Sequence, residues 1–321
     1  MIRMFLDNRT AVLLLLPFII GLYVIGSIFS VDQELLDRSN GLFFYTHESG
    51  GFWAYLVQSL LLLANAIFLN AVFNSHEFLD KNTYIISLIY VVMTPMFVPL
   101  NQFSPVLLAH FAFISMLSVV FQLKQNTDGK MTIFNAGLLL GFSFIFLPYL
   151  LILVPFILFM NVIVRPFSWR ELLLSLVSMS IPMLYYFSYL FLTNQFHFNW
   201  QFPNWQMHNF RLALNDYPIL GLFIVLLFIS LISLGARLLK SSLRLKKQIQ
   251  MLGLVFTILL LIGFTDFYFN GSLLYLSLSI IPLSYFLTYA FLSKRSGIPA
   301  SIFFYLTALY SFVKFFISFT Q

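Results

Sequence analysis

The chain has no cysteine, so disulfides, thiolate-bound zinc, iron–sulfur clusters and a thiol nucleophile are all excluded. It is also short of charge. Only 9% of its 321 residues are Asp, Glu, Lys or Arg, against 60% hydrophobic. A soluble domain carries about 25% charged residues, and without them it cannot cover its own surface with polar groups. Glycine is scarce too, at 14 residues. No segment is both polar and long enough to form a soluble domain. The longest polar stretches, Val31–Gly51 and Asn194–Asp216, are too short for a core of their own.

What remains is apolar sequence in long runs, such as Ala11–Ser30 and Tyr217–Gly235. Surrounded by lipid, a backbone must satisfy its own hydrogen bonds, which leaves helices or closed barrels. Barrel strands are segments of about ten residues with alternating polarity, and these runs do not alternate. The expected fold is all-α, a polytopic transmembrane helix bundle forming one domain over 1–321. A crossing takes about 20 residues. Spans are expected at 10–30, 53–73, 83–99, 104–123, 131–147, 149–164, 172–193, 217–236, 250–268, 273–292 and 298–318. The fifth and sixth are the weakest. Met131–Val164 is about 50 Å of helix at 1.5 Å per residue, room for two short crossings with a turn at Pro148-Tyr149. The run after Arg9 is too long for a secretory h-region and lacks a small-residue cleavage site, so it reads as a retained first span.

Basic residues test the layout independently, because cytoplasmic loops of membrane proteins are enriched in Lys and Arg. With the N-terminus inside, inner segments hold Arg3, Arg9, Lys81, Lys124, Lys130, Arg165, Arg170, Arg237, Lys240, Arg244, Lys246, Lys247, Lys294 and Arg295, which is 14 of the 17. Only Arg38, Arg211 and Lys314 fall outside. The C-terminus is then extracytoplasmic. The pI near 9.4 is an orientation signal and not the mark of a nucleic-acid partner. Arg237–Lys247, the densest basic cluster, reads as a topology anchor against anionic headgroups or a docking site for a cytoplasmic partner.

Residues able to do chemistry gather in the expected outer loops. Ser30 and Gln33 have the spacing of a capping box, and Asp32, Glu34 and Asp37 then fall in the first turns of a short helix. A carboxylate just above the membrane can serve as general base or metal ligand; it can equally be the wet face of a surface helix. No other cofactor is indicated. The second loop holds Trp200, Trp205, His208 and Arg211 among further rings and amides. Interfacial Trp is common, while rings interleaved with amides also suit a sugar or headgroup. Asp266 and Lys314 stand near the outer ends of their spans. Lys314 with Arg211 can hold a phosphate, with Asp216 and Asp266 as their ion-pair partners. Within the spans polar residues are few. Gln58 and Asn65 share one helix face, Ser175 and Ser178 permit close helix approach, and His110 reads as a packed, satisfied residue.

The stretch Asn135-Ala136-Gly137-Leu138-Leu139-Leu140-Gly141, turning at Pro148-Tyr149, returning through Leu153-Val154-Pro155 and ending in Arg165-Pro166-Phe167-Ser168-Trp169-Arg170-Glu171, resembles a hairpin common in GT-C glycosyltransferases. That resemblance implies transfer of a sugar from a polyprenyl-phosphate carrier, with an acidic residue soon after the first span; Asp32 or Glu34 stands there. The chain is also similar to uncharacterised polytopic families of the bacterial inner membrane. Three functions follow in order: a GT-C-like transferase, a non-catalytic subunit of an envelope-assembly or secretion complex, and a transporter or lipid flippase. Expected partners are membrane lipids, a polyprenyl-phosphate-linked sugar and other membrane subunits.

Overall fold

A computed structural model describes residues 2–7, 10–28, 52–79, 81–98, 100, 103–123, 129–147, 150, 153, 163–164, 168–193, 217–239, 241–270, 273–292 and 297–317. Among the described residues the structure is all-helical. The α-helices are α1 (Ile2–Leu6), α2 (Leu16–Ile28, entered through a 3-10 turn at Thr10–Leu15), α3 (Phe52–Ser75), α4 (Ile85–Met93), α5 (Val106–Val120) and α6 (Lys130–Phe146), then α7 (Trp169–Leu192), α8 (Tyr217–Leu238), α9 (Leu243–Asn270), α10 (Ile280–Leu292, entered through a 3-10 turn at Tyr275–Ser279) and α11 (Gly297–Ile317). Among the described residues six helical stretches are long and apolar enough to cross a membrane: Thr10–Ser27, Phe52–Ser75, Trp169–Leu192, Tyr217–Leu238, Leu243–Tyr268 and Tyr275–Leu292. Four apolar helices are shorter: Ile85–Met96, Val106–Val120, Lys130–Phe146 and Gly297–Val313.

A helix that is apolar on every side has no face to offer water and belongs in the interior. α4 is of this kind, and all nine of its residues are buried. α10 is its counterpart, buried from Ile280 to Phe291. The two form the centre, packed on each other, with α3 and α11 against α4 and α8 against α10. α7 lies at the margin and leaves Leu184, Tyr185, Tyr189, Phe191 and Leu192 exposed, as a lipid-facing helix does.

Contacts fix the direction of each helix. Tyr84 N donates to Phe5 O, Tyr289 Oη donates to Phe78 O, and His76 and Phe78 stack edge-on against Phe121. So α3, α5 and α10 finish at the end where α1 sits and α4 begins. Arg244, at the start of α9, lies 3.9 Å from Glu77 at the same end. A Cβ on Gly297 would lie 3.1 Å from Phe291 O, so α11 starts beside the end of α10, and Tyr305 Oη accepts from Ile2 N. Lys247 Nζ donates to Val164 O. This is the basic end, holding Arg3, Lys81, Arg244, Lys246 and Lys247.

α6 and α7 make the closest helix pair, and glycine is the reason. A Cβ on Gly137 would overlap Ser178 Oγ and approach Ser175 O to 2.7 Å; one on Gly141 would meet Met179 O at 2.5 Å and Pro182 Cγ at 3.1 Å. Two glycines four apart make a flat strip on α6 against which the α7 backbone lies directly. Farther along, Ile145 packs with Tyr186 and Leu190. The pairing rises together in both helices, so α6 and α7 are parallel.

Candidate functional site

The end opposite the basic cluster carries two of the sequence-predicted site residues. Asp266 sits in the last turns of α9, one turn beyond Gly263, whose missing Cβ lets Leu276 approach. It is buried, at 3% exposure, and is the one carboxylate among the described residues to be so. Lys314 stands one turn beyond Ser311 in α11. Ser311 Oγ donates to Val92 O at 3.2 Å, the same carbonyl that Tyr23 Oη reaches at 3.4 Å. α2, α4, α9 and α11 all run toward this end. Asp32, Glu34, Trp200, Trp205, His208 and Arg211 lie outside the described residues, as do Arg38, Asp216 and the expected capping box at Ser30. Among the described residues no three His, Asp or Glu side chains converge as a metal site would require.

The centre of the bundle holds the most developed polar arrangement. Tyr90 Oη lies 2.7 Å from His110 Nδ1, and His110 Nε2 lies 3.0 Å from Ser277 Oγ. All three side chains are fully buried. Ser277 Oγ gives its proton to Leu274 O, so it must accept from His110. That puts a proton on Nε2, and in a neutral imidazole Nδ1 is then the acceptor for the Tyr90 hydroxyl, with both ring nitrogens engaged. One chain of hydrogen bonds thus ties α4, α5 and the turn before α10. Asn65 joins it from α3, with Nδ2 donating to Leu107 O at 2.8 Å, and Gln58 Oε1 accepts from Ser104 N at 3.3 Å. The sequence reading of Gln58, Asn65 and His110 as groups that bond between helices is what these distances show. The part played by Tyr90 and Ser277 was not legible, since neither residue type stands out in a run rich in both.

The basic end is built on a helix terminus. α3 closes with Phe78 N donating to Phe73 O and Glu77 N to Asn74 O, while Glu77 takes φ 56°. This is a Schellman closure, and its apolar contact is the stacked pair Phe73–Phe78, 5.4 Å between centroids. Asn74 then clasps the turn, donating to Thr83 O and accepting from Thr83 N. His76, in this turn, is buried, and burial chiefly holds its imidazole below the ordinary range. The Arg244 guanidinium lowers it further, against the opposing pull of a backbone hydrogen bond at Ser118.

Residues 42–319 match one family over nearly the whole chain, described as a family of unknown function, DUF6427. The chain belongs to DUF6427. No curated protein and no solved structure matches it. The DUF6427 match takes in every helix from α3 to α11, so the central polar chain and the α6–α7 contact are inside the family's bounds. It lends nothing to the likeness between the α6 hairpin and GT-C glycosyltransferases.

Proposed function

We propose that this DUF6427 chain works in envelope biogenesis in the bacterial inner membrane, crossing it eleven times with its N-terminus in the cytoplasm, and acts at the outer face on a polyprenyl-phosphate-linked sugar in the manner of a GT-C glycosyltransferase. The observation that carries this reading is the buried carboxylate of Asp266 at the end of the bundle away from the basic cluster, the end that also bears Lys314. A buried ionisable group in a membrane helix is costly and marks a functional site by default. The two loops richest in reactive side chains leave and rejoin helices at this same end: 29–51 between α2 and α3, and 193–216 between α7 and α8. In this reading Asp32 or Glu34 activates the acceptor hydroxyl, Arg211 and Lys314 hold the carrier phosphate, and Trp200, Trp205 and His208 pack on the sugar.

The central polar groups favour this reading over a transporter. A transport path needs polar groups that face a route through the membrane. Tyr90, His110 and Ser277 face one another instead, with no exposure. A second reading, a non-catalytic subunit of an assembly complex, draws on α7, whose exposed Tyr185, Tyr189 and Phe191 suit a neighbouring membrane subunit as well as lipid.

The test is Asp32→Asn with Glu34→Gln, and separately Asp266→Asn, in cells whose surface glycans are profiled. A transferase loses glycan product in the double variant while the protein still accumulates in the membrane. Wild-type profiles at wild-type protein level would overturn the transferase reading. Loss of a co-purifying membrane protein on substitution of Tyr185 and Tyr189 would favour the subunit.

A further inference from the structure

α9 is longer than a bilayer requires. Its 28 residues make about 42 Å of helix, against about 30 Å of hydrocarbon. With its far end at the outer boundary, the first eight residues or so, Leu243 through Gln250, stand in the cytoplasmic headgroup layer. Ser242 caps the helix, its Oγ accepting from Leu245 N at 3.4 Å. Three cations follow, and the protein engages two of them. Arg244 turns toward Glu77, 3.9 Å away, and Lys247 Nζ donates to Val164 O at 3.4 Å. Lys246 is half-buried and has neither a hydrogen bond nor an ion pair from its side chain among the described residues. At about 100° per residue, Leu243, Lys246, Gln250, Thr257, Leu261 and Phe264 share one stripe of α9. All of them except Lys246 are exposed, so this stripe is the lipid-facing side. The Thr257 hydroxyl turns back on Leu254 O. The matching stripe of α2, formed by Leu14, Phe18, Leu22 and Ile25, is apolar throughout. That of α9 instead carries an ammonium and an amide at the level of the headgroups.

We propose that this stripe binds an anionic phospholipid of the cytoplasmic leaflet, with its phosphate against Lys246 and an acyl chain along Thr257, Leu261 and Phe264. An amide at the edge of the hydrocarbon has lost part of its water and needs another acceptor. A phosphate or ester oxygen supplies it for Gln250. An ammonium at that depth needs a counter-charge for the same reason, and basic residues beside a membrane helix attract anionic lipid. A choline or ethanolamine headgroup would bring its own cation in among Arg237, Arg244 and Lys247, where like charges repel. A glycerol headgroup brings none. A soluble acidic partner would suit the cations but not the leucines beside them. Leu239 and Leu243 are 84% and 79% exposed in the same turn, and lipid carbon covers both. The inference is independent of the transferase reading, which concerns the opposite end of the bundle.

The test uses the purified full chain with phosphatidylglycerol and phosphatidylcholine. In nanodiscs holding both, phosphatidylglycerol with a photoactivatable acyl chain labels the α9 stretch bearing Thr257, Leu261 and Phe264 more than the exposed stripe of α2. The phosphatidylcholine analogue labels the two alike. In native mass spectrometry, wild type retains phosphatidylglycerol in preference to phosphatidylcholine. Lys246→Gln lowers that retention about five-fold, and adding Gln250→Leu lowers it further. Arg170→Gln, which removes an exposed cation of α7 at the same pole, leaves it unchanged. Melting in phosphatidylcholine shows that the variants fold, and the labelling of wild type needs no variant. The proposal is overturned if the two lipids label α9 alike. It is also overturned if Arg170→Gln lowers retention as much as Lys246→Gln, the mark of diffuse attraction to a basic surface. Displacement of the lipid by inorganic phosphate or by an acidic peptide overturns it as well, since the site would then take free phosphate or a soluble partner.

Discussion

Glu77 shows how much one side chain can cost where the backbone wants glycine. The Schellman closure of α3 requires a left-handed residue, and Glu77 supplies it at φ 56°. For an L-residue that conformation costs about 1 kcal/mol or a little more. Against that cost stands the contact with Arg244, 3.9 Å apart with both side chains largely exposed, a kind of pair that contributes little. Glu77→Gly is therefore expected to stabilise the protein by about 1 kcal/mol, read as a higher unfolding midpoint in detergent; a lower midpoint would show that the carboxylate does more than sit in the turn. The neighbouring His76 makes stability depend on pH. Its folded pKa is depressed, so the unfolded chain binds a proton first. Stability present at neutral pH is lost as the pH falls through the unfolded value, about 6.5, toward the folded one. Between about pH 7 and 5 the unfolding midpoint of wild type should drop more than that of His76→Asn. Arg244→Gln should lie between them and nearer wild type, because burial and not the guanidinium is the larger cause.

At the scale of elements, glycine separates two kinds of helix. Gly137 and Gly141 face the α7 backbone at distances no Cβ tolerates, whereas Gly253 has nothing within 4 Å. Gly253→Ala should stabilise α9 by up to about 1 kcal/mol through helix propensity alone. Gly137→Ala and Gly141→Ala should each destabilise by about 1–3 kcal/mol, as overpacking does. Removing the Ser178 hydroxyl as well should recover only part of the loss at Gly137, because the Ser175 carbonyl still blocks the new methyl at 2.7 Å. Thermal unfolding of the four variants checks the set, and equal midpoints for Gly137→Ala and Gly253→Ala would dismiss the close approach. These elements were largely legible beforehand. Ser175 and Ser178 announce a close contact because small residues at helical spacing have few other uses in lipid. The partner glycines lie in the very stretch that resembles a GT-C hairpin, and the structure gives those two glycines a packing role. The hydrogen bond between His110 and Ser277 joins residues 167 apart in sequence; no periodicity carries information about such a pairing. Asp32, Glu34 and the second-loop residues are outside the described residues, so the proposed surface chemistry rests on their sequence.

For the whole molecule the decisive quantity is parity, and two unrelated observations bear on it. Hydropathy divides the chain into runs, while side-chain contacts bring the ends of α3, α5 and α10 together with the starts of α4, α9 and α11. Among the described residues six helices meet the length of a crossing and four fall short of it, so length alone does not decide how many times the chain passes through. Direction does better. α6 starts seven residues after Leu123, close to where α5 finishes, and α7, parallel to it, starts near Val164, which Lys247 binds at the basic end. α6 and α7 therefore both finish away from the basic pole. An antiparallel pair would set Gly137 opposite the end of α7 and not opposite Ser178. Reporter fusions make the difference measurable. Fusions at Lys124, Lys247 and Lys294 should all report the cytoplasm, since Lys124 and Lys294 follow helix ends at the basic pole and Lys247 lies in the first turns of α9 there, and a fusion at Asn204 should report the other side. A cytoplasmic signal at Asn204 together with one at Lys247 would remove α8 from the membrane, and with it the outer end on which the transferase reading depends.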